Sequence, residues 1–526
     1  MNLPVRSLVV AAACFLSAFA HAQDDLPGRV GRVAEVAGTV RTINPEGAWA
    51  ALVRNQPLST GDRVTTDKAG RATLQFGSTV VRVGADSDVM VTQLDDQKIR
   101  LRFDHGQLAV RVRSDDIPGE LFIETDEGAW VPHHQGEYRF DRVAHQMLAA
   151  QALSGDMLLE APDSSLPVAA PQRAEVWRTG AKQTTHYRLV PALKDAFGDA
   201  VLAADQADDR LAAVNAAARV PPEMTGAADL ARSGAWSTTV DGTPLWTPAK
   251  LPAGWQPYRQ GAWSWNSPWG WTWIDDQPWG FAPSHYGRWL SVKGRWAWTP
   301  GQWGATRPIY APALVGWFGG AGLTVDGAPA VGWVALAPDE PVFPAYAVSA
   351  KYWNALVAAS VAPAARRPVA ISGRARLVPS GPAAFANSRV AGATTVVAGA
   401  ALLTQVPVST MPQWHGAELR LPGLAERLAQ AQATAPPAAP VGHTALSAAT
   451  PTLVVPLASS PAPGGKGVAL PAAPVRPGAQ LPAIARPVPP AALAAPVVAR
   501  PVAPTAPATA MRPITAPIPP APIASR

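Results

Sequence analysis

Between about Arg29 and Phe140, apolar and polar residues alternate in short runs: Arg71–Phe76, Thr79–Val83, Val89–Val91, Ile99–Phe103, Leu108–Val112 and Leu121–Thr125. A two-residue period sends successive side chains to opposite faces of a strand, so each run predicts a half-buried strand. Gly61-Asp62, Gly70, Gly77-Ser78, Gly84, Gly106 and Gly128 fall between the runs, at the spacing of turns. Residues 29–140 therefore predict a small β-sandwich or barrel, which 141–192 extend before a linker.

The period then changes. Over 193–220 the chain is Ala-rich, with Leu193, Phe197, Val201, Leu211 and Val214 near helical spacing and acids at Asp195, Asp199, Asp205, Asp208 and Asp209. This predicts one amphipathic helix bridging two β regions and ending at Pro221-Pro222. Over 236–353 the chain carries sixteen of its twenty tryptophans. Trp263-Ser-Trp265, Trp271-Thr-Trp273 and Trp296-Ala-Trp298 place paired indoles on one face of a strand. Pro268-Trp-Gly-Trp is echoed ten residues later by Pro278-Trp-Gly-Phe, as in a short strand-turn repeat. Residues 354–433 lose aromatics but keep room for a strand or two between Leu377 and Val408. Residues 434–526 are rich in Pro and Ala and predict a disordered tail of polyproline II character. The expected fold class is mainly β.

Composition adds the compartment. Arg6, the apolar stretch Leu8–Ala20 and the small residues of Ala20-His21-Ala22 read as a secretory signal over 1–22. The stretch is short for a bilayer span, so an exported protein of the periplasm or cell envelope is expected, with no integral span after cleavage. Lipidation at Cys14 would leave a very short apolar region before it. Cys14 is the one cysteine and would leave with the signal, taking any disulfide, thiolate nucleophile or zinc-thiolate site with it. The net charge of +6 lies in the tail, where Lys466, Arg476, Arg486, Arg500, Arg512 and Arg526 face no acid; the remaining 38 basic residues balance 38 acidic ones. Charges strung along a Pro-rich chain do not form a nucleic-acid patch.

Leu58-Ser-Thr-Gly-Asp-Arg-Val-Thr-Thr66, Gly70-Arg-Ala-Thr-Leu-Gln-Phe-Gly-Ser78, Phe103-Asp-His-Gly-Gln-Leu-Ala-Val-Arg-Val112 and Phe122-Ile-Glu-Thr125 together resemble the periplasmic FecR-type domain. Ala129-Trp130 stands where that family usually shows Arg-Gly-Thr. Sensory FecR proteins carry a cytoplasmic anti-sigma segment and a membrane helix before this domain, and neither is read here. The resemblance thus implies the fold and not sigma regulation. Tyr286-Gly-Arg-Trp289, Gly294-Arg-Trp-Ala-Trp-Thr-Pro-Gly301 and Val331-Gly-Trp-Val-Ala-Leu-Ala-Pro338 resemble a Trp-rich domain of unknown function that often follows it.

Candidate chemistry is sparse. Indoles stack on sugar rings, but a buried aromatic covers about 150–250 Å² and most of these read as core. Trp269, Trp279 and Trp289, beside Gly or Arg, read as exposed, and with Arg288 and Arg295 they form the candidate ligand face. Arg288, Lys293 and Arg295 also suit cation–π contacts. Asp275-Asp276, near Ser284 and His285, reads as a turn and not as the spaced carboxyl pair of a glycosidase. His133-His134, with His105 and His145, lacks the spacing of a metal site. No cofactor or metal is expected. The expectation is a non-enzymatic protein that binds or scaffolds, its Trp-rich domain touching peptidoglycan, another envelope glycan or an envelope protein. The alternatives are a FecR-like signalling partner pairing an edge strand with another protein, and a hydrolase using Asp275 or Asp276.

Overall fold

The computed structural model describes residues 25–43, 47, 49–144, 147–304, 306–359, 371, 373–380, 385–411, 432–433 and 452–456. The segment expected to be a secretory signal, with Cys14, together with His145 and most of the tail, lies outside these residues. The chain divides into Met1–Val468 and Ala469–Arg526, and all that is described belongs to the first unit.

The alternating runs form strands, as their period requires. They are β1 (Gly31–Ala37), β2 (Val40–Ile43), β3 (Trp49–Ala51), β4 (Pro57–Leu58), β5 (Arg63–Thr66), β6 (Arg71–Phe76), β7 (Thr79–Val83), β8 (Asp88–Leu94) and β9 (Ile99–Val112). They continue through β10 (Leu121–Glu124), β11 (Ala129–Pro132), β12 (Gly136–Ala144), β13 (Met147–Ser154), β14 (Asp156–Glu160), β15 (Ser165–Ala169), β16 (Arg173–Thr179) and β17 (Thr184–Val190).

The long strand β9 belongs to two layers. Its first half pairs with β8 and β10, its second with β7 and β12. Gly106, at φ +95°, sits between the halves, where a Cβ would stand 2.1 Å from Ser87 Oγ. The layers run β17-β16-β13-β12-β9-β7-β6-β1-β4 and β15-β14-β11-β10-β9-β8-β5-β2-β3. Neither closes on itself, so the architecture is a sandwich sharing one bent strand. Val33, Leu74, Val81, Leu101, Phe103, Val110, Ile123, Trp130 and Phe140 fill the space between the layers.

The predicted helix is α1 (Ala196–Ala217), N-capped by Asp195, whose side chain accepts from Gly198 N. Its apolar stripe is not what holds it: Val201 is buried, but Leu193 precedes the helix and Val214 is exposed. Acids do the holding. Asp205, Asp208 and Asp209 meet Arg82 on β7 and Arg111 and Arg113 at the end of β9, and Asp208 also accepts from Arg232.

Beyond Pro222 come α2 (Ala228–Ser233), β18 (Gly234–Thr238), β19 (Pro244–Pro248), β20 (Gly261–Asn266), β21 (Gly270–Asp275), α3 (Phe281–His285), β22 (Arg288–Val292) and β23 (Arg295–Thr299). They are followed by β24 (Val315–Val325), β25 (Ala328–Ala335), β26 (Val348–Ser349), α4 (Ala350–Ala358), β27 (Arg374–Ser380), β28 (Thr395–Ala398), β29 (Gln432–Ala433) and β30 (Thr452–Pro456). The sheets are small: β18-β19-β23-β22, β20-β21, β28-β25-β24-β29 and β26-β27-β30. Within the span expected to be a disordered tail, the described segment β30 pairs in parallel with β27, and the rest of 434–526 lies outside the described residues.

The two β regions are not beads joined by a helix. Arg29 and Arg307 share Glu120. Asn55 Nδ2 donates to the carbonyls of Asp275 and Gln277 at 2.8 and 2.7 Å. Arg32 pairs with Asp229 and lies 5.7 Å over the Phe281 ring. Val30 packs into the indole core itself. Among the described residues, no helix is long and apolar enough to cross a membrane.

Candidate functional site

The indoles were the sequence's strongest functional signal, and the hairpin β20–β21 shows how they are placed. Trp263 faces Trp273 and Trp265 faces Trp271 across the strands, so all four lie on one face, as the Trp-x-Trp spacing dictates. That face points inward. Trp263 also packs edge-on against Trp333 and lies 4.6 Å from Trp317.

Trp269, Trp279 and Trp289, expected at the surface, are only 2, 3 and 3% exposed. Trp279 contacts Trp246, Trp255 and Trp289 at ring separations of 4.9, 5.5 and 6.3 Å, while Trp269 packs on Tyr310. The neighbouring glycines misled: Gly280 gives room for packing, since a Cβ there would stand 2.4 Å from the Asp275 side chain. Fourteen of the sixteen tryptophans in 236–353 are buried, with Trp236 and Trp265 partly so.

Tryptophan here supplies more than bulk. At least nine indole N–H groups donate, six of them to backbone carbonyls outside strand ladders. Trp246 donates to Leu230, Trp289 to Pro283, Trp298 to Tyr286, Trp303 to Pro300, Trp333 to Tyr258 and Trp353 to Val342, all at 2.8–3.0 Å. A half built from sheets of only two to four strands buries many carbonyls outside its ladders, and each needs a donor. A core of Leu and Ile would leave them bare.

The candidate cations part company. Arg288 is buried, donating to the Glu340 carbonyl at 2.8 and 3.1 Å and to the Gly287 carbonyl, and burial lowers its pKa to about 10. Arg295 is exposed beside the Lys293-Gly294 turn, at the other end of the β22–β23 hairpin. The five candidate residues therefore form no common face.

Asp275 ends β21 in the expected turn, accepting from Trp273 Nε1 and Gln277 N, both at 2.9 Å. Burial raises its pKa to about 7, and burial also raises Asp276. Glu340 is likewise buried and pushed up to about 7, held by the N–H groups of Ala337 and Ala386. His285 holds the Ala311 carbonyl through Nδ1, and burial depresses its pKa to about 3. Asp275, Glu340 and His285 are each engaged by backbone groups. His133 and His134 both reach Asp156 on the surface. Among the described residues no group of three or more His, Cys, Asp or Glu is placed to hold a metal.

One feature escaped the sequence reading, and a second was expected without its strand being placed. The first is the Arg–Asp clasp of α1, foreshadowed by Arg111 and Arg113 two apart on a strand and Asp205, Asp208 and Asp209 on one helical face. The second is the sandwich edge. β17 pairs with β16, and among the described residues no strand pairs with its other side. Tyr187 and Leu189, two apart on one face, are each 52% exposed.

A family of unknown function (DUF6600) matches residues 227–340, the indole-rich half. No curated protein matches the chain. Two crystal structures of a proposed anti-sigma factor from Parabacteroides distasonis ATCC 8503 are similar over 25% of this chain and 60% of that one, at 13 and 12% identity and TM-scores of 0.21 and 0.22. The chain thus spans less than two thirds of the length of the solved protein it matches.

Proposed function

We propose that this chain is a non-enzymatic binding or scaffolding protein of the bacterial envelope, exported by its amino-terminal signal, and that it contacts a partner protein by strand addition at β17. The open edge of β17 carries this reading. A free strand edge offers unpaired N–H and C=O groups, and natural sheets usually blunt such edges with Pro, Lys or short length. β17 is seven residues long, has neither Pro nor Lys, and presents Tyr187 and Leu189 as alternate side-chain anchors. By contrast β15, one edge of the other layer, carries Pro167, and β3, its second edge, is only three residues long. Backbone pairing would supply affinity, and the alternate side chains specificity. The FecR-type resemblance is compatible with contact through a sandwich edge.

Stacking of a glycan on Trp269, Trp279 and Trp289 loses its surface, because those rings are inside. The test is a photo-crosslinking residue at Tyr187 of the full chain in intact cells, with Val240, an exposed loop position, as control. A discrete protein adduct from Tyr187 that is missing from Val240 and lost on Leu189→Pro is expected. An identical adduct pattern from both positions, or none from Tyr187, defeats the proposal.

A further inference from the structure

α1 lies across the sandwich without closing on it. At its start Asp195 accepts from both terminal nitrogens of Arg139, at 2.6 and 2.8 Å. Further along, Asp205, Asp208 and Asp209 hold the arginines of β7 and β9. Between these two clasps Ala196, Ala200 and Ala204 follow at four-residue spacing, one above the other on a single side. Methyl groups cannot bridge to the sheet. A cleft of about 560 Å³ remains, with Val36, Ala72 and Val83 on the strand side and Phe197 and Val201 on the helix side.

The cleft opens to solvent, with Ala196 and Ala200 exposed on the helix side, so its apolar walls are held against water and covering them is favourable. Its volume falls in the range of about 300–1,000 Å³ typical of small-ligand sites. The cleft is not electrically neutral. Arg54 and Arg71 line it, both exposed and, among the described residues, without a carboxylate partner; Arg54 uses only Nε, on the Ala34 carbonyl. Glu35 is the one exposed carboxylate on the lining, while Arg82 is already taken by Asp205 and Asp208.

We infer that this cleft binds a single-chain anionic amphiphile, a long-chain fatty acid, with its acyl chain against the alanine face of α1 and its carboxylate on Arg54 and Arg71. Apolar walls with two spare cations at an exposed margin match an apolar tail with one anionic end, and they match a peptide or a sugar poorly. The site lies apart from β17, so it stands or falls independently of the partner contact.

Titration of the full chain with cis-parinaric acid, a fluorescent fatty acid, tests it, with palmitate, methyl palmitate and hexadecyltrimethylammonium as competitors. Saturable binding of one probe per chain is expected, displaced by palmitate and at least about tenfold less well by the ester or the cation, the difference a charge-assisted contact makes. Ala200→Phe, which fills the cleft, should abolish binding, and the Arg54→Glu/Arg71→Glu pair should weaken it at least about tenfold. Near-ultraviolet circular dichroism of the indole core confirms that each variant is folded; should Ala200→Phe fail, the exposed arginine pair still decides. Absence of saturable binding, binding unchanged in folded Ala200→Phe, or equal displacement by palmitate and its ester overturns the inference.

Discussion

The sandwich and the indole-rich half solve the same problem with different materials. In the sandwich, two nine-stranded layers pair most strands on both sides, so the backbones satisfy one another and Val, Leu and Ile can fill the core and need only be apolar. In the indole-rich half, sheets of only two to four strands leave inside carbonyls that lie outside the ladders, and tryptophan supplies both the filling and the donor. The lesson is that a high tryptophan count need not mark a ligand face. It can mark a core with too little ladder.

The largest test of that contrast is Trp246, which is buried and donates to the Leu230 carbonyl at 2.8 Å. Trp246→Ala should cost about 3–5 kcal/mol through the cavity it opens. Trp246→Phe keeps a ring but orphans the carbonyl, and should still cost about 1–3 kcal/mol. Ile99→Val in the sandwich core, which strands no polar group, should cost only about 0.5–1.5 kcal/mol. Urea denaturation of the three variants measures this; a Trp246→Phe protein as stable as the parent would mean that the donor is dispensable and the indoles are mere bulk.

A pH series probes the same half. Asp275 and Glu340 have folded pKa values of about 7, raised by burial, whereas unfolded carboxyls titrate near about 4. Between these values the folded state keeps protons that the unfolded chain releases. Stability is therefore fully present below about pH 4 and falls as pH rises through about 7, by on the order of 2–4 kcal/mol. Thermal melts from pH 5 to 8 should show the midpoint dropping, less steeply below about pH 6.5, where buried His285, depressed to about 3, gains stability as its unfolded counterpart deprotonates, and Asp275→Asn should flatten the slope. A midpoint rising with pH over this range would contradict the buried, protonated carboxyls.

How much of this was written in the sequence differs between the halves for a physical reason. Alternation in the sandwich fixes both the strand and its buried face, because the polar residues name the outside. Trp-x-Trp fixes only that two indoles share a face; it cannot say whether that face looks in or out when the opposite side is also covered. Arg288 and Arg295 have alike local surroundings, and only the Glu340 carbonyl, 52 residues away, makes one a buried strut. The clasp of α1 was legible in principle from the spacing of its acids, yet apolar periodicity drew attention to Val214, which is exposed. The seam between the halves depends on single polar residues such as Asn55, which no periodicity reveals.

That seam predicts that the two halves unfold together. Asn55→Ala removes both donations across it and should cost about 2 kcal/mol, leaving the carbonyls of Asp275 and Gln277 short of a donor. The midpoint seen by the indole core in near-ultraviolet circular dichroism and that seen by strand hydrogen exchange in the sandwich should fall together. Two separated transitions, with only the indole signal shifted, would show that each half stands alone.

The smallest expected effect belongs to the start of α1. Hydrogen bonding to Arg139 lowers the pKa of Asp195 to about 2, and the same carboxylate caps the helix through Gly198 N. A depressed carboxyl contributes its stability above the unfolded value near about 4 and loses it as pH falls through about 2. Asp195 is partly open to solvent, so screening limits the contribution to under about 1 kcal/mol. Global melting should scarcely register Asp195→Asn. Amide exchange over the first turns of α1 should quicken in that variant at neutral pH, and in the parent only on strong acidification. If exchange there is unchanged while the sandwich strands loosen, Asp195 braces the Arg139 network on β12 and is not the anchor of the helix.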